Sequence, residues 1–279
     1  MSGMQVRKAA FEGSFYPRGK AKVEFMIEKL MGMAKVNIDV ADAVAYVAPH
    51  AGYQYSGRTA AHTFTAMRMN RNYGAIDDVI VVGPNHTGVG TAVSVSLIDW
   101  ETPLGTAETD TEFAKAICEA SHIAEQDETA HYGEHSIEVQ LPFLLHEHIA
   151  RRYAFVCMGD QSIEACMDLA GAIGKAVDST GRNALVLASS DFNHYESADM
   201  GKRKDTELFG ILHDLDYQTF NRRVYEIQDS ACGYGPITVA AMYAKGRGAS
   251  QGILLNYSNS GDVTQEFDEV VDYASFAFV

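Results

Sequence analysis

Basic residues are scarce: 22 Lys and Arg against 37 Asp and Glu leave a formal net charge of −15 over 279 residues. A chain of that sign offers no clustered cationic field, so neither nucleic acid nor an anionic membrane surface is expected as a partner. No apolar run approaches the roughly 18 residues that span a bilayer, and no amino-terminal leader pattern is evident, so a cytoplasmic protein is expected. Cysteine is sparse too. Cys118, Cys157, Cys166 and Cys232 stand far apart with no C-x-x-C pair, which speaks against a zinc ribbon and a disulfide framework. Low-complexity linkers, charge blocks and fixed-period repeats are absent, so residues 1–279 are read as one domain.

What is present is ample apolar material, 47% of the chain, arranged as short apolar runs that alternate with helical periodicity. Strands are expected at Val44–Val47, Asp78–Val82, Thr91–Ile98, Tyr153–Met158, Ala184–Ala188, Ile253–Tyr257 and Val270–Phe278. Helices are expected at Ala21–Met33, Gly57–Met69, Thr109–Ser121, from Glu134 onward, and at Ile163–Val177, Lys202–His213, Tyr217–Ile227 and from Pro236 to Ala244. Pro142 falls inside the helix beginning near Glu134 and marks its first turns or a kink. Strands alternating with helices imply an α/β fold. Its central sheet should be mixed and mainly parallel, covered by helices on both faces, with late strands antiparallel at an edge.

Polar chemistry begins where these strands stop. The first run ends in Pro49-His50-Ala51-Gly52, the second in Gly83-Pro84-Asn85-His86, and a third in Ser189-Ser190-Asp191-Phe192-Asn193-His194. In an open α/β sheet the carboxyl ends of parallel strands converge, so His50, His86, Asp191 and His194 are candidates for one pocket. Cys232, in Ala231-Cys232-Gly233-Tyr234-Gly235, lacks the apolar surroundings of a core cysteine, and a ligand role and a buried thiol stand as equal readings. Two imidazoles and a thiolate suit iron, copper or zinc, whereas magnesium and calcium want oxygen. If the segment after Ser190 turns helically, Asp191 and His194 share a face and the carboxylate orients the imidazole; the alternative is a helix cap. His135, beside Glu134 at an expected helix start, is open to proton transfer or capping, and His131 to the same more weakly. His62 reads as packed or exposed. Tyr53, Tyr55 and Tyr234 are candidates to line the pocket.

Six motifs in order, Phe11–Pro17, Ala48–Gly57, Gly83–His86, Gly133–Leu144, Ser189–Tyr195 and Ala231–Gly233, resemble the Memo family. The resemblance implies a fold similar to class III, LigB-type extradiol dioxygenases, non-haem iron enzymes that open catechols. Carried over by motif, His50, His86 and Cys232 are the expected metal ligands, Asp191 and His194 lie beside the metal, and His135 is a further pocket residue. Those dioxygenases use two histidines and a carboxylate; Cys232 in the third place changes the metal's charge and softness. Iron or copper is therefore the expected cofactor, with zinc as the alternative. The resemblance also implies a small molecule or peptide as ligand and, for microbial members, a radical S-adenosylmethionine protein and an AMMECR-type protein as partners in a three-component system. The functions to weigh are a dioxygenase-like oxidoreductase, a non-catalytic partner-binding component of that system, and a zinc-assisted hydrolase.

Overall fold

The computed structural model describes residues 6–279. Twelve strands occur in chain order: β1 (Val6–Arg7), β2 (Ala45–Ala48), β3 (Asp78–Pro84), β4 (Val93–Ser96), β5 (Asp99–Thr102), β6 (Gly105–Ala107), β7 (Ala124–Gln126), β8 (Arg152–Met158), β9 (Ala184–Ser189), β10 (His194–Glu196), β11 (Gly252–Asn259) and β12 (Val270–Phe278). Nine of them form one sheet in the order β10-β12-β2-β9-β3-β8-β4-β7, with β11 paired to β12. The inner block β2-β9-β3-β8 is parallel. β4 runs antiparallel to β8, and β12 runs antiparallel to β2, β10 and β11. The mixed, mainly parallel core with antiparallel late strands is the expected α/β architecture. A second sheet, β1-β5-β6, carries the excursion after β4.

Period-two alternation decides what each face of the sheet buries. Ala45, Val47, Ile80, Val82, Val186 and Ala188 pack under the helices Thr111–Ala120, Ile163–Thr180, Ala198–His213 and Tyr234–Gly246. Their neighbours Tyr46, Ala48, Val79, Val81, Leu185 and Leu187 pack under Lys20–Met33, Tyr53–Arg68 and Leu141–His146. Both faces of these strands are covered, so their sequences read as continuous apolar runs.

Several helix boundaries differ from expectation, among them the helix expected from Lys202, which starts at Ala198. The second helix starts at Tyr53, four residues before Gly57, and Gly57 lies inside it. The reason is packing: a Cβ at Gly57 would sit 2.7 Å from Leu30 Cδ1 of the first helix. Residues 134–137 are not helical; a 3₁₀ turn at Glu138–Gln140 precedes the helix Leu141–His146, whose first turn holds Pro142. Thr129–Tyr132 forms one helical turn, where residues Ala130–Gly133 are expected from the sequence as a loop. No helix among the described residues is long and apolar enough to cross a membrane.

The sheet's β12 edge hides an acidic cluster. Asp205 and Asp272 are fully buried, and none of their carboxyl oxygens has a paired donor. They face Asp229, Tyr257 and Asn259, while the charge of Lys204 acts on Asp229 and its ammonium pairs with Glu196 at 2.7 Å. Burial first, then the charges of Asp229 and Asp272, push the Asp205 carboxyl far above its ordinary 3.8. A proton on Asp205 supplies the missing donor. Because the folded state holds this proton more tightly than the unfolded chain, the cluster's contribution to stability is greatest below the ordinary carboxylate range. It should fall by about 1.4 kcal/mol per pH unit for each extra proton held as pH rises from there toward neutrality. Asp205→Asn should flatten that decline and raise the melting temperature at pH 7, since the amide donates without needing a proton. Unchanged pH dependence in thermal melts from pH 4 to 8 would count against this account.

Candidate metal centre

The register of the parallel block sets the site. Ala48 of β2 pairs with Ser189 of β9, and Val82 of β3 with Ala188, so three strands end at one level. His50, Asp191 and His86 each stand two residues past the end of their strand. Cys232 arrives from the other side, one residue before the cap of the helix Tyr234–Gly246. Gly233 makes that approach possible: a Cβ there would lie 2.5 Å from the Ser189 carbonyl oxygen and 2.7 Å from Ser190 Cβ. Its N–H donates to Ser190 Oγ at 2.8 Å, and the Cys232 N–H donates to the Asp191 carbonyl at 3.3 Å.

All six candidates, His50, His86, His135, Asp191, His194 and Cys232, line one cavity of about 800 Å³, together with Phe15, Tyr55, Tyr195 and Tyr273. His50, His86 and Cys232 offer three ligand atoms within 4.8 Å of one another. Cys232 Sγ is 3.2 Å from His50 Nε2, and the His50 and His86 rings meet edge to face with centroids 5.2 Å apart. Burial, then the neighbouring His135, His86 and His194, hold His50 well below its ordinary value, so its ring is neutral. Burial, then the Asp191 charge, pushes the Cys232 thiol up; a bound cation would reverse that and release the proton. The donor set fits a first-row metal: two imidazoles and a sulfur converge on a roomy cavity that leaves space for a further ligand. Among the described residues neither Lys nor Arg lines the cavity.

Glu134, fully buried, was not foreseen from the sequence as part of the site. Its Oε1 accepts from His86 Nδ1 at 2.9 Å and from the amides of His135 and Ser136 at 2.8 Å each, and its Oε2 from the His86 amide at 2.6 Å. These bonds explain why residues 134–137 are not helical: the amides of His135 and Ser136 turn to a side chain instead of to carbonyls one turn back. With both oxygens occupied by donors, Glu134 orients His86 and is not itself a ligand, although it lies within 4.8 Å of His86 and His135 ligand atoms. Burial acts to raise its carboxyl, but the hydrogen bond and charge of His86, with the Ser136 amide, outweigh it and hold the group down at about 2. The available signal in the sequence was a carboxylate directly after Gly133 and directly before a candidate histidine.

His135 stacks on His86 with centroids 4.6 Å apart and lies 4.4 Å from the Phe15 ring. Burial lowers it to about 4, so it is neutral near pH 7. Asp191 corrects the sequence reading. Residues 190–193 form no helix and His194 opens β10, so the two side chains do not share a helical face. Asp191 Oδ1 instead accepts the amides of His50 at 2.8 Å and Ala51 at 3.3 Å; it holds the turn that presents His50 and neither orients His194 nor caps a helix. Burial pushes its carboxyl up to about 7 against those two amides. His194 faces the cavity with its Nδ1 buried and without a partner, and its amide donates to Ser230 Oγ at 2.7 Å.

The other candidates separate. Tyr55 lines the cavity, Tyr53 is buried with its hydroxyl on the Val139 carbonyl at 2.7 Å, and Tyr234 pairs with Tyr225 outside the cavity. His131 is a core residue against Trp100, with ring centroids 5.4 Å apart. His62 packs within its helix and bonds to the Arg58 carbonyl at 2.9 Å. Cys157 and Cys166 are buried and Cys118 is half-buried, as small core hydrophobes are.

Comparison with known proteins agrees with the motifs. A family model described as Memo-like protein matches residues 7–277. The chain is similar to a MEMO1 family protein of Methanosarcina mazei, 38% identical over 274 residues, which cover 98% of each chain. It is likewise 39% identical over 273 residues to a MEMO1 family protein of Archaeoglobus fulgidus, covering 98% of this chain and 99% of the other. A MEMO1 family protein of Methanococcus maripaludis is 41% identical over 233 residues, 82% of this chain and 81% of that protein. Matched by the family model over nearly all its length, and by relatives well above a third identical, the chain belongs to the Memo family.

Proposed function

We propose that this protein is a metal-dependent oxidoreductase related to extradiol dioxygenases, with iron or copper held by His50, His86 and Cys232. One observation carries the reading: three ligand atoms, from two strand ends and a helix start, lie within 4.8 Å of one another and face an open cavity of about 800 Å³. When bound, the metal would supply redox chemistry and an open position for oxygen or a reduced substrate. The chain's own residues do the rest. Glu134 holds the His86 ring, and Asp191 holds the backbone of His50 and Ala51. Neutral His135 and His194, both at the cavity wall, are placed to accept a proton from a bound substrate. Phe15, Tyr55 and Tyr273 offer aromatic faces, and the lack of a lining Lys or Arg favours a neutral molecule over an anion. Microbial partners of the radical S-adenosylmethionine and AMMECR types would supply or receive that molecule in the reducing interior of the cell.

Protein purified without oxygen should carry stoichiometric metal, and Cys232→Ala and His86→Ala should each lower its content at least about tenfold. Unchanged content in both variants would remove the ligand set. Oxygen uptake with catechols by the loaded wild type, lost in Cys232→Ala, is the expected activity. Ester or amide hydrolysis that requires zinc would replace the redox reading with the hydrolytic one, since zinc accepts the same donors. Partner capture that survives loss of all three ligands, without any redox activity, would favour a binding role.

A further inference from the structure

We propose that Ser189, held by Gln140, is a positioning residue that keeps His50 in the tautomer whose Nε2 is bare and available to a metal. The proposal rests on reading His50 as a ligand, but the hydrogen bonds that carry it are independent of any metal. Gln140 Nε2 lies 3.0 Å from the Pro49 carbonyl oxygen and 2.7 Å from Ser189 Oγ. A carbonyl only accepts, so the amide's nitrogen, not its oxygen, faces this group. Ser189 Oγ is in turn 2.6 Å from the Ser136 carbonyl oxygen. That oxygen also only accepts, so it takes the single hydroxyl proton of Ser189. One hydroxyl lone pair receives the Gln140 amide. The other faces His50 Nδ1 at 2.9 Å, and the ring nitrogen there must donate. A neutral imidazole protonated on Nδ1 has a bare Nε2, and this nitrogen is the one 3.2 Å from Cys232 Sγ.

Each step is forced by a group that has only one possible role. Gln140, Ser189 and the Ser136 carbonyl are all buried, so water is not on hand to substitute for a missing member. The two imidazoles are therefore set by different means: His86 by the anionic Glu134 and His50 by a saturated hydroxyl. A neutral acceptor fixes orientation and tautomer while pushing less electron density into the ring than a carboxylate does.

Long-range proton–nitrogen NMR on the metal-free wild type reads the tautomer directly and needs no variant. The expected result is His50 protonated on Nδ1; a proton on Nε2 overturns the proposal. In Ser189→Ala the Nε2-protonated form, donating to Cys232 Sγ, should become populated. Affinity for cobalt(II), followed through its thiolate absorption and chelator competition, should fall about 10–100-fold. Ser189→Thr, which keeps the hydroxyl, should restore both readouts. A Ser189→Ala protein with the wild-type tautomer and wild-type cobalt affinity overturns the proposal. His50→Ala with undiminished cobalt affinity would overturn the ligand reading instead, and the NMR result separates that failure from failure of the tautomer assignment.

Discussion

Glu138→Ala is expected to destabilise the fold by about 3–5 kcal/mol, the usual cost of removing one partner from a buried ion pair. Glu138 is fully buried and receives Arg7 Nη1 at 2.6 Å, the Tyr16 hydroxyl at 2.7 Å, and the amides of Phe11 at 2.8 Å and Ala10 at 3.0 Å. Its removal leaves the Arg7 guanidinium, only 1% exposed, as an uncompensated charge. The remaining contacts of Arg7 do not neutralise it: the carbonyls of His131 at 2.7 Å and Glu134 at 2.9 Å, and the Trp100 ring 4.0 Å away. The melting temperature should drop by on the order of 10 °C, and the denaturant midpoint should fall with little change in slope. A loss below about 1 kcal/mol would refute the argument. Arg7→Met combined with Glu138→Leu should cost less than Glu138→Ala alone, because the pair is then removed without stranding a charge. The effect reaches the site, since this ion pair ties down the segment that sets Phe11 and Phe15 against His135, with ring centroids 5.6 and 4.4 Å away.

Glu134→Gln should weaken metal binding about 10–100-fold. It should also cost about 1–3 kcal/mol in stability. An amide keeps one acceptor oxygen but turns an N–H₂ group toward donors that the carboxylate now satisfies, the His86 amide on one side or the His86 ring with the His135 and Ser136 amides on the other. Whichever way the amide turns, the His86 ring loses the anionic acceptor that fixes which nitrogen faces Cys232 and His50. Competitive titration of cobalt(II) or zinc against a chelator measures the first effect and thermal melts the second. Affinity within about twofold of wild type would contradict the orienting role. His135→Ala is the contrast: although its ring stacks on His86 at 4.6 Å, it stands outside the proposed ligand set, and the metal should remain bound with little loss.

Much of this architecture was legible because the information was local. Apolar runs such as Val79–Val82 and Leu185–Ala188, stopped by glycine, proline or polar residues, declared buried strands with chemistry at their ends. Parallel connectivity then required those ends to meet. The unpaired cysteines and the absence of apolar surroundings at Cys232 were equally local. The small β1-β5-β6 sheet and the short strands β7 and β10 were not foreseen, since strands of two to four residues carry too little periodicity to be seen.

The sequence by itself determined which strands end in histidine and which cysteine stands apart. Only the tertiary structure decided what holds them. Glu134 and Glu138 look in sequence like solvated acids near a helix start, yet one takes up His86, 48 positions away, and the other Arg7, 131 positions away. Asp191, three residues from His194, suggested a local pair; its carboxylate instead binds the amide of His50, 141 positions away. A hydrogen bond of this kind depends on where the backbone donors of another strand end arrive, and no short-range spacing encodes that. Side-chain identity specified the candidate donors of the proposed metal centre, and long-range packing specified which of the nearby carboxylates reaches them.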